Sequence, residues 1–380
     1  MITNYKAKLK LMDITEKYQN FLKEKSKSGL HSPSPSELIK ELGLTIDVDA
    51  CFLCNPYAFD LYMDYYKDTD LREYMKFYPP QNNILSKKLG DAFNLNPDYL
   101  MLGNGAIQLI ELILREFKQL KKCIVSPTFS TYYEIDRHNI TFFTTAKEDD
   151  FKINVEQLID FCKKEKVEVL VIVNPNNPTG SIIEKKDIKR ILSELKIKTI
   201  VDESFIDFFD PEHSVEKEVY NNPNLIVIRS LSKDFGIAGL RLGYSVMNPT
   251  LKNEIFSQYG LCWNINGLAH FFIELLNQKD FLEKYKNARN KYVLGRDKFF
   301  HQLSKLKKMK VYPSYANFFV LDCFDNAEDV FSSLLFNKNI YTRILNDKLD
   351  LEPTFLRIAC GNYQDNTKVF NALQEIEKKL

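Results

Sequence analysis

The sequence predicts an α/β fold: a mostly parallel sheet with helices on its faces, joined by a smaller α+β domain. Three observations predict it. Between about residue 100 and residue 277, short apolar runs alternate with amphipathic segments, the pattern of strands linked by crossover helices. The run VLVIV, 169–173, is apolar without alternation and stops at NPNNPTG, as a strand covered on both faces does when it meets a turn. After about residue 278 long charged helical segments precede short strands.

Taken in order, residues 1–28 read as a lysine-rich amphipathic helix or arm. SPSPSELIKEL, 32–42, starts a helix, with serine caps, proline near the first turn and Glu37 inside it. DTDLREYMKFYPPQNNILSKKLGDAF reads as a helix, a break at YPP, and a second helix. GNGAIQLIELILREF is a glycine turn feeding an apolar-periodic helix. KKCIVSPTF is a short strand ending in a turn, KDIKRILSEL a helix, and TIVDESF and NLIVIRSLSK two further strands. FLEKYKNARNKYVLGRDKFF is a long helix, YANFFVLDC a strand, and a helix closes the chain. The expected organisation is an N-terminal arm with part of the small domain at 1–60, a large domain at 61–277 and a small C-terminal domain at 278–380.

Composition narrows the function. Lys and Arg number 52 against 51 Asp and Glu, a net charge of +1. A nucleic-acid partner would call for a basic excess, so none is expected. No apolar run reaches the roughly 20 residues of a membrane span. The charged start MITNYKAKLKLMDITEKYQN has no signal-peptide core, and the expected location is the cytoplasm. The seven scattered cysteines read as free thiols. CFLC at 51–54 lacks the second pair or histidines of a zinc site, and no metal is expected.

Ligands of open α/β sheets bind outside the carboxyl ends of the strands. Four such ends carry Phe129, Asn177, Asp202 with Phe205, and Lys233. A lysine there that is to form a Schiff base needs a depressed pKa, from desolvation or a nearby cation. Arg241 follows eight residues later. If the carbonyl partner is a phosphorylated aldehyde, its phosphate needs an anion cup. Ser230, Ser232, Arg241 and the free amides at the helix start in GNGAI, 103–107, would supply it. Asp202 is a costly carboxylate unless it faces a cation, and a protonated pyridine nitrogen is one that turns the ring into an electron sink. Phe129 could stack on that ring, and Asn177 could donate to a ring hydroxyl. Singly, each residue has a plainer reading: a solvated lysine, a helix-capping aspartate, an ordinary Pro-Asn-Gly turn, a surface arginine. Their combination, in this order, carries the functional reading.

GNGA, PTFSTY, NPNNPTG, VDESF, SLSKDFGIAGLRLGY and FLRIACG together resemble the fold type I pyridoxal-phosphate enzymes. The resemblance is to the class I/II aminotransferases, in the branch holding histidinol-phosphate aminotransferase and threonine-phosphate decarboxylase, over about residues 50–375. It implies pyridoxal 5'-phosphate as cofactor. It implies Lys233 as the Schiff-base lysine, Asp202 at the pyridine nitrogen, Asn177 at the ring hydroxyl and Phe129 stacked on the ring. It implies the amides of Ala106 and Ile107, with Ser230, Ser232 and Arg241, at the cofactor phosphate. Tyr78, in FYPP, matches a tyrosine that reaches the neighbouring subunit's cofactor, which implies a homodimer with shared sites. Arg357 matches a substrate-carboxylate clamp. Arg343 and Tyr57 fall where relatives contact the phosphate-bearing end of the substrate. Phe205 departs from the tyrosine common at that place.

The branch signals divide. VDESF and CWNINGLA look like threonine-phosphate decarboxylase, whereas CNPY and LRIACG look like histidinol-phosphate aminotransferase. Which bond at the substrate's α-carbon breaks depends on its pose against the ring. The family at large is mostly aminotransferases, so transfer of an amino group from a donor such as L-glutamate to a small phosphorylated or phosphonylated ketone or aldehyde ranks first. Decarboxylation of L-serine phosphate or L-threonine phosphate ranks second, and a non-catalytic binding protein that keeps the fold ranks last.

Overall fold

The computed structural model describes residues 2–25, 32–135 and 137–380. A helix spans Ile2–Lys25; residues 26–28 of the expected arm lie outside the described residues. The next helix, Pro35–Leu42, begins as its sequence indicates. Ser34 caps it, accepting from the Glu37 amide, while the Glu37 carboxylate accepts from the Ser34 amide at 2.7 Å.

After β1 (Val48–Asp49) comes the large sheet. Its strands are β2 (Leu100–Asn104), β3 (Lys122–Ser126), β4 (Ile140–Thr144), β5 (Val169–Val173), β6 (Lys198–Asp202), β7 (Leu225–Ser230) and β8 (Leu242–Val246). They lie in the order β2-β8-β7-β6-β5-β3-β4. β8 runs antiparallel to both of its neighbours, and the other pairings are parallel. The sequence analysis assigned no strand to GIAGLRLGY and so missed β8, whose short return from β7 has no crossover helix. It missed β4 as well.

β5 shows why the sheet is doubly covered. Leu170 and Ile172 join an apolar core on one face, and Val169, Val171 and Val173 join the core on the other. The helix Gly105–Glu116 buries Leu109, Ile110 and Ile113 on that second face. The geometry brings the carboxyl ends of β2, β3, β5, β6 and β7 and the start of β8 to one edge.

The smaller unit draws on both ends of the chain. β9 (Lys310–Val311), β10 (Phe318–Asp322), β12 (Arg343–Ile344) and β13 (Phe355–Ala359) form an antiparallel sheet, β12-β13-β10-β9; β11 (Ile340–Tyr341) pairs in parallel with β1. A third core gathers Tyr18, Leu38, Val48 and Leu53 with Phe299, Phe318, Leu356 and Leu373. The expected architecture is therefore the observed one: a seven-stranded, mostly parallel sheet and a smaller α+β unit made of N- and C-terminal segments.

Candidate active site

A cavity of about 320 Å³ opens at the strand-end edge, between the two units. Ala106, Ile107, Phe129, Asn177, Asp202, Ser230, Ser232, Lys233, Arg241, Arg343 and Arg357 all line it. Two expected residues do not. Tyr57 lies in the first turn of the helix Pro56–Lys67, its ring 4.1 Å from Lys291 Nζ. Tyr78 is 78% exposed and packs its ring against Trp263, centroids 4.9 Å apart.

At the floor, Asp202 is buried at the end of β6. Its carboxylate accepts from the Ser204 amide at 2.9 Å, from the Ser204 hydroxyl, and from the Tyr132 hydroxyl at 2.9 Å. Burial still pushes its pKa up, against these hydrogen bonds. Neither Ser204 nor Tyr132 was expected at the site. Tyr132 stands one helical turn after Phe129, a spacing that alone suggests no partner.

Lys233 sits in the short helical turn Leu231–Asp234 that follows β7. Desolvation pushes its ammonium down, and Arg357 and Arg241 push the same way. The Lys233 carbonyl accepts from the Asn55 amide at 2.9 Å. That bond draws the 51–55 segment over the site, and Cys51, Phe52 and Leu53 join the wall.

The asparagines of NPNNPTG build more than a turn. Asn174 bridges to Ile183 through both ends of its side chain, at 2.7 and 3.1 Å. Asn176 accepts from Thr128 at 2.7 Å and donates to the Pro127 carbonyl at 2.8 Å. Asn177 Oδ1 accepts from Arg357 Nη1 at 2.9 Å, which leaves its Nδ2 to donate elsewhere. Arg357 also donates to the Cys51 carbonyl at 3.0 Å, and burial lowers its pKa to about 10.

The other end of the cavity has the form of an anion cup. The first amides of the helix Gly105–Glu116 have no partner within the helix. Ser230, Ser232 and Arg241 stand beside them. Gly105 has φ +73°, and a Cβ there would strike the Arg241 guanidinium. At Gly243 an added Cβ would lie 2.6 Å from the Ala106 amide nitrogen. Glycine at both places lets the helix start and the β8 start close around a small anion. The cup, the buried carboxylate and the depressed lysine fit a phosphorylated pyridine aldehyde.

Behind the site lies a buried charge network. Arg229 on β7 pairs with Asp207, with Glu216 at 3.0 Å and with Glu203 at 3.8 Å. Burial raises Glu203 to about 7. Asp234, next to Lys233, is also raised by burial; one carboxylate oxygen accepts from Tyr285 at 2.9 Å, and the other has no hydrogen-bond partner among the described residues.

Comparison with known proteins decides the family. The model of "aminotransferase class I and II" matches residues 65–373. The chain belongs to that family. Pyridoxal phosphate is accordingly its cofactor, and fold type I its fold. Within the family it is 36% identical to an L-serine phosphate decarboxylase of Campylobacter jejuni, over 97% of each chain. A solved decarboxylase structure from Sulfurospirillum multivorans superposes with a TM-score of 0.87 at 32% identity, covering 97% of this chain and 99% of that one. A histidinol-phosphate aminotransferase of Clostridium novyi is 31% identical over 80% of this chain and 83% of its own.

These findings bear out the branch that the motifs indicate. They overturn the ranking of transamination first, because the similarity to the decarboxylases is higher and runs nearly end to end. The ranking rested on what is common in the family. The choice of bond is set by substrate pose, which no short motif in this chain records. Among the described residues no helix is long and apolar enough to cross a membrane.

Proposed function

We propose that the protein is a pyridoxal-phosphate-dependent decarboxylase of a phosphorylated amino acid, with L-serine phosphate as substrate and ethanolamine phosphate and CO₂ as products. The observation that carries this reading is the 36% identity to an L-serine phosphate decarboxylase over 97% of each chain. The cationic wall of the cavity supports it: Arg343 and Arg357 both face the space a dianionic tail and a carboxylate would fill.

When bound, the cofactor supplies a pyridinium ring that delocalises the electron pair left at Cα as the carboxylate departs. Asp202, held by Ser204 and Tyr132, keeps the pyridine nitrogen protonated. Phe129 would stack on the ring, and Asn177 Nδ2 would donate to the ring hydroxyl. Phe205, edge-on to Phe318 at 5.3 Å, has no hydroxyl to share that task. The amides of Ala106 and Ile107, with Ser230, Ser232 and Arg241, hold the cofactor phosphate. Lys233 would anchor the cofactor before substrate arrives. It then delivers a proton to Cα, where the carbon–carbon bond has broken. Arg357 orients the carboxylate and Arg343 the phosphate.

A homodimer completes the site on this reading. Exposed Tyr78 and Trp263, beside Phe77 at 59% and Met75 at 77% exposure, form an apolar surface suited to a second copy. Tyr78 would serve the neighbouring site. The seven free cysteines suit a reducing compartment such as the cytoplasm.

The test is to incubate the holoenzyme with L-serine phosphate and quantify products. One CO₂ and one ethanolamine phosphate per substrate consumed is the expected result. An oxo acid without CO₂ would refute the reading.

A further inference from the structure

The loop between β12 and β13 brings a cation to the cavity that no motif marks. Lys348 lines the same space as Arg343 and Arg357. The loop is latched to the large unit on both sides of its tip. The Asp350 carboxylate accepts from Ser126 Oγ and, at 3.1 Å, from Thr144 Oγ1. Glu352 pairs with Lys147. Ser126 and Thr144 end β3 and β4, so the latch ties the loop to the rim that also bears Phe129.

The charges at this end do not balance. Arg343 is already paired with Asp347 on the same loop. Arg357 is committed to Asn177 and the Cys51 carbonyl. Among the described residues, Lys348 Nζ makes no hydrogen bond and no ion pair. The charged groups that act on it are Asp347 and Glu134, which favour its charge, and Arg343 and Arg357, which oppose it. Burial dominates and pushes the ammonium down to about 8. An incoming anion would restore the charge. A phosphate monoester carries nearly two negative charges near neutral pH, and Arg343, half-satisfied by Asp347, answers only part of them.

We propose that Lys348 is a specificity residue that reads the substrate's phosphate, sharing the dianion with Arg343 from a loop latched by Asp350. This rests on the reading of the substrate as a phosphorylated amino acid. It adds a residue to which neither the motifs nor the comparisons assign a role. On this proposal its contribution is to binding the phosphate.

The experiment titrates the holoenzyme with L-serine phosphate and with L-serine, following the change in the visible absorbance of the cofactor on binding. CO₂ release is measured separately. Lys348→Ala should weaken L-serine phosphate by roughly 10- to 100-fold, the worth of a charge-assisted hydrogen bond. L-Serine should change by less than about 2-fold. Lys348→Arg should recover most of the selectivity. Equal losses for both amino acids would show a merely structural role and overturn the proposal. So would a wild-type enzyme that binds L-serine phosphate no more tightly than L-serine. If selective binding is lost in Lys348→Ala but the wild type releases no CO₂, the role of Lys348 stands and the decarboxylase reading falls.

Discussion

At the floor of the cavity the side chains come from the ends of β3, β5, β6 and β7, strands buried on both faces; at its mouth they come from the 51–53 segment, Arg343, Arg357 and a loop at 348. The floor is fixed by the sheet. Asp202 ends β6 and Lys233 directly follows β7, adjacent strands whose pairing, Asp202 with Ile228, leaves little room for drift. The mouth is assembled from segments as far as 306 residues apart and held by a few polar bonds, such as Arg357 to Cys51. A rigid floor suits a cofactor that stays, and a mouth made of long cationic side chains suits a ligand that comes and goes. On the proposed reading the chemistry resides at the floor, and the identity of the substrate is read at the mouth.

If that division holds, substitutions at the floor should cost turnover and substitutions at the mouth should cost binding. Lys233→Ala should show the largest effect, a fall in kcat of roughly 10⁴-fold or more, since it removes both the cofactor's anchor and the proton donor. Steady-state CO₂ release measures it. Asp202→Asn should lower kcat by about 10²- to 10³-fold with little change in substrate affinity, as loss of a preorganised electrostatic contact does. Arg343→Ala should invert that pattern, raising KM for L-serine phosphate about 10- to 100-fold while kcat at saturation stays near wild type. A kcat loss matching that of Asp202→Asn would erase the distinction between floor and mouth.

Smaller effects probe the support beneath the floor. Burial raises both Glu203 and Asp234, so the folded protein holds protons that the unfolded chain releases near the ordinary carboxylate pKa of about 4. The stability this confers is present at low pH and is lost as pH rises through the folded values. The melting temperature should fall progressively from about pH 4 to about pH 8 and level off above, and Asp234→Asn, which cannot titrate, should flatten that fall by about 2–4 °C. An unchanged slope would place the relevant protons elsewhere. The smallest change is expected from Phe205→Tyr. Its added hydroxyl should lower the pKa of the visible absorbance transition by up to about one unit, and identical titrations would show that Asn177 suffices.

The same contrast explains what was legible in the sequence. Lys233, Asp202, Asn177 and Arg241 occur at strand ends in short runs, where a covered strand followed by a turn fixes the direction of the next few residues. Their convergence could be read without coordinates. Tyr132 and Ser204 were missed because a tyrosine and a serine in short turns have many plainer uses; Ser204 bonds Asp202 from two residues on, and Tyr132 reaches it only through the sheet order, which sets β3 beyond β5 from β6. Lys348 lies in NDKLDLEP, a loop with no periodicity, and its place depends on where Asp350 latches. The antiparallel β8 was hidden by the glycines before and within it, one of which, Gly243, lets it lie against the helix start at Ala106. The reaction was the least legible feature, since a carboxylate and an α-proton at one carbon are distinguished by a rotation of the substrate.

The most direct measurement is proton NMR of L-serine phosphate turning over with the enzyme in D₂O. Decarboxylation predicts ethanolamine phosphate carrying one deuteron on the carbon that lost CO₂, while unreacted substrate keeps its α-proton. Washout of that α-proton without CO₂ would contradict the account, because it would show that the enzyme breaks the carbon–hydrogen bond instead.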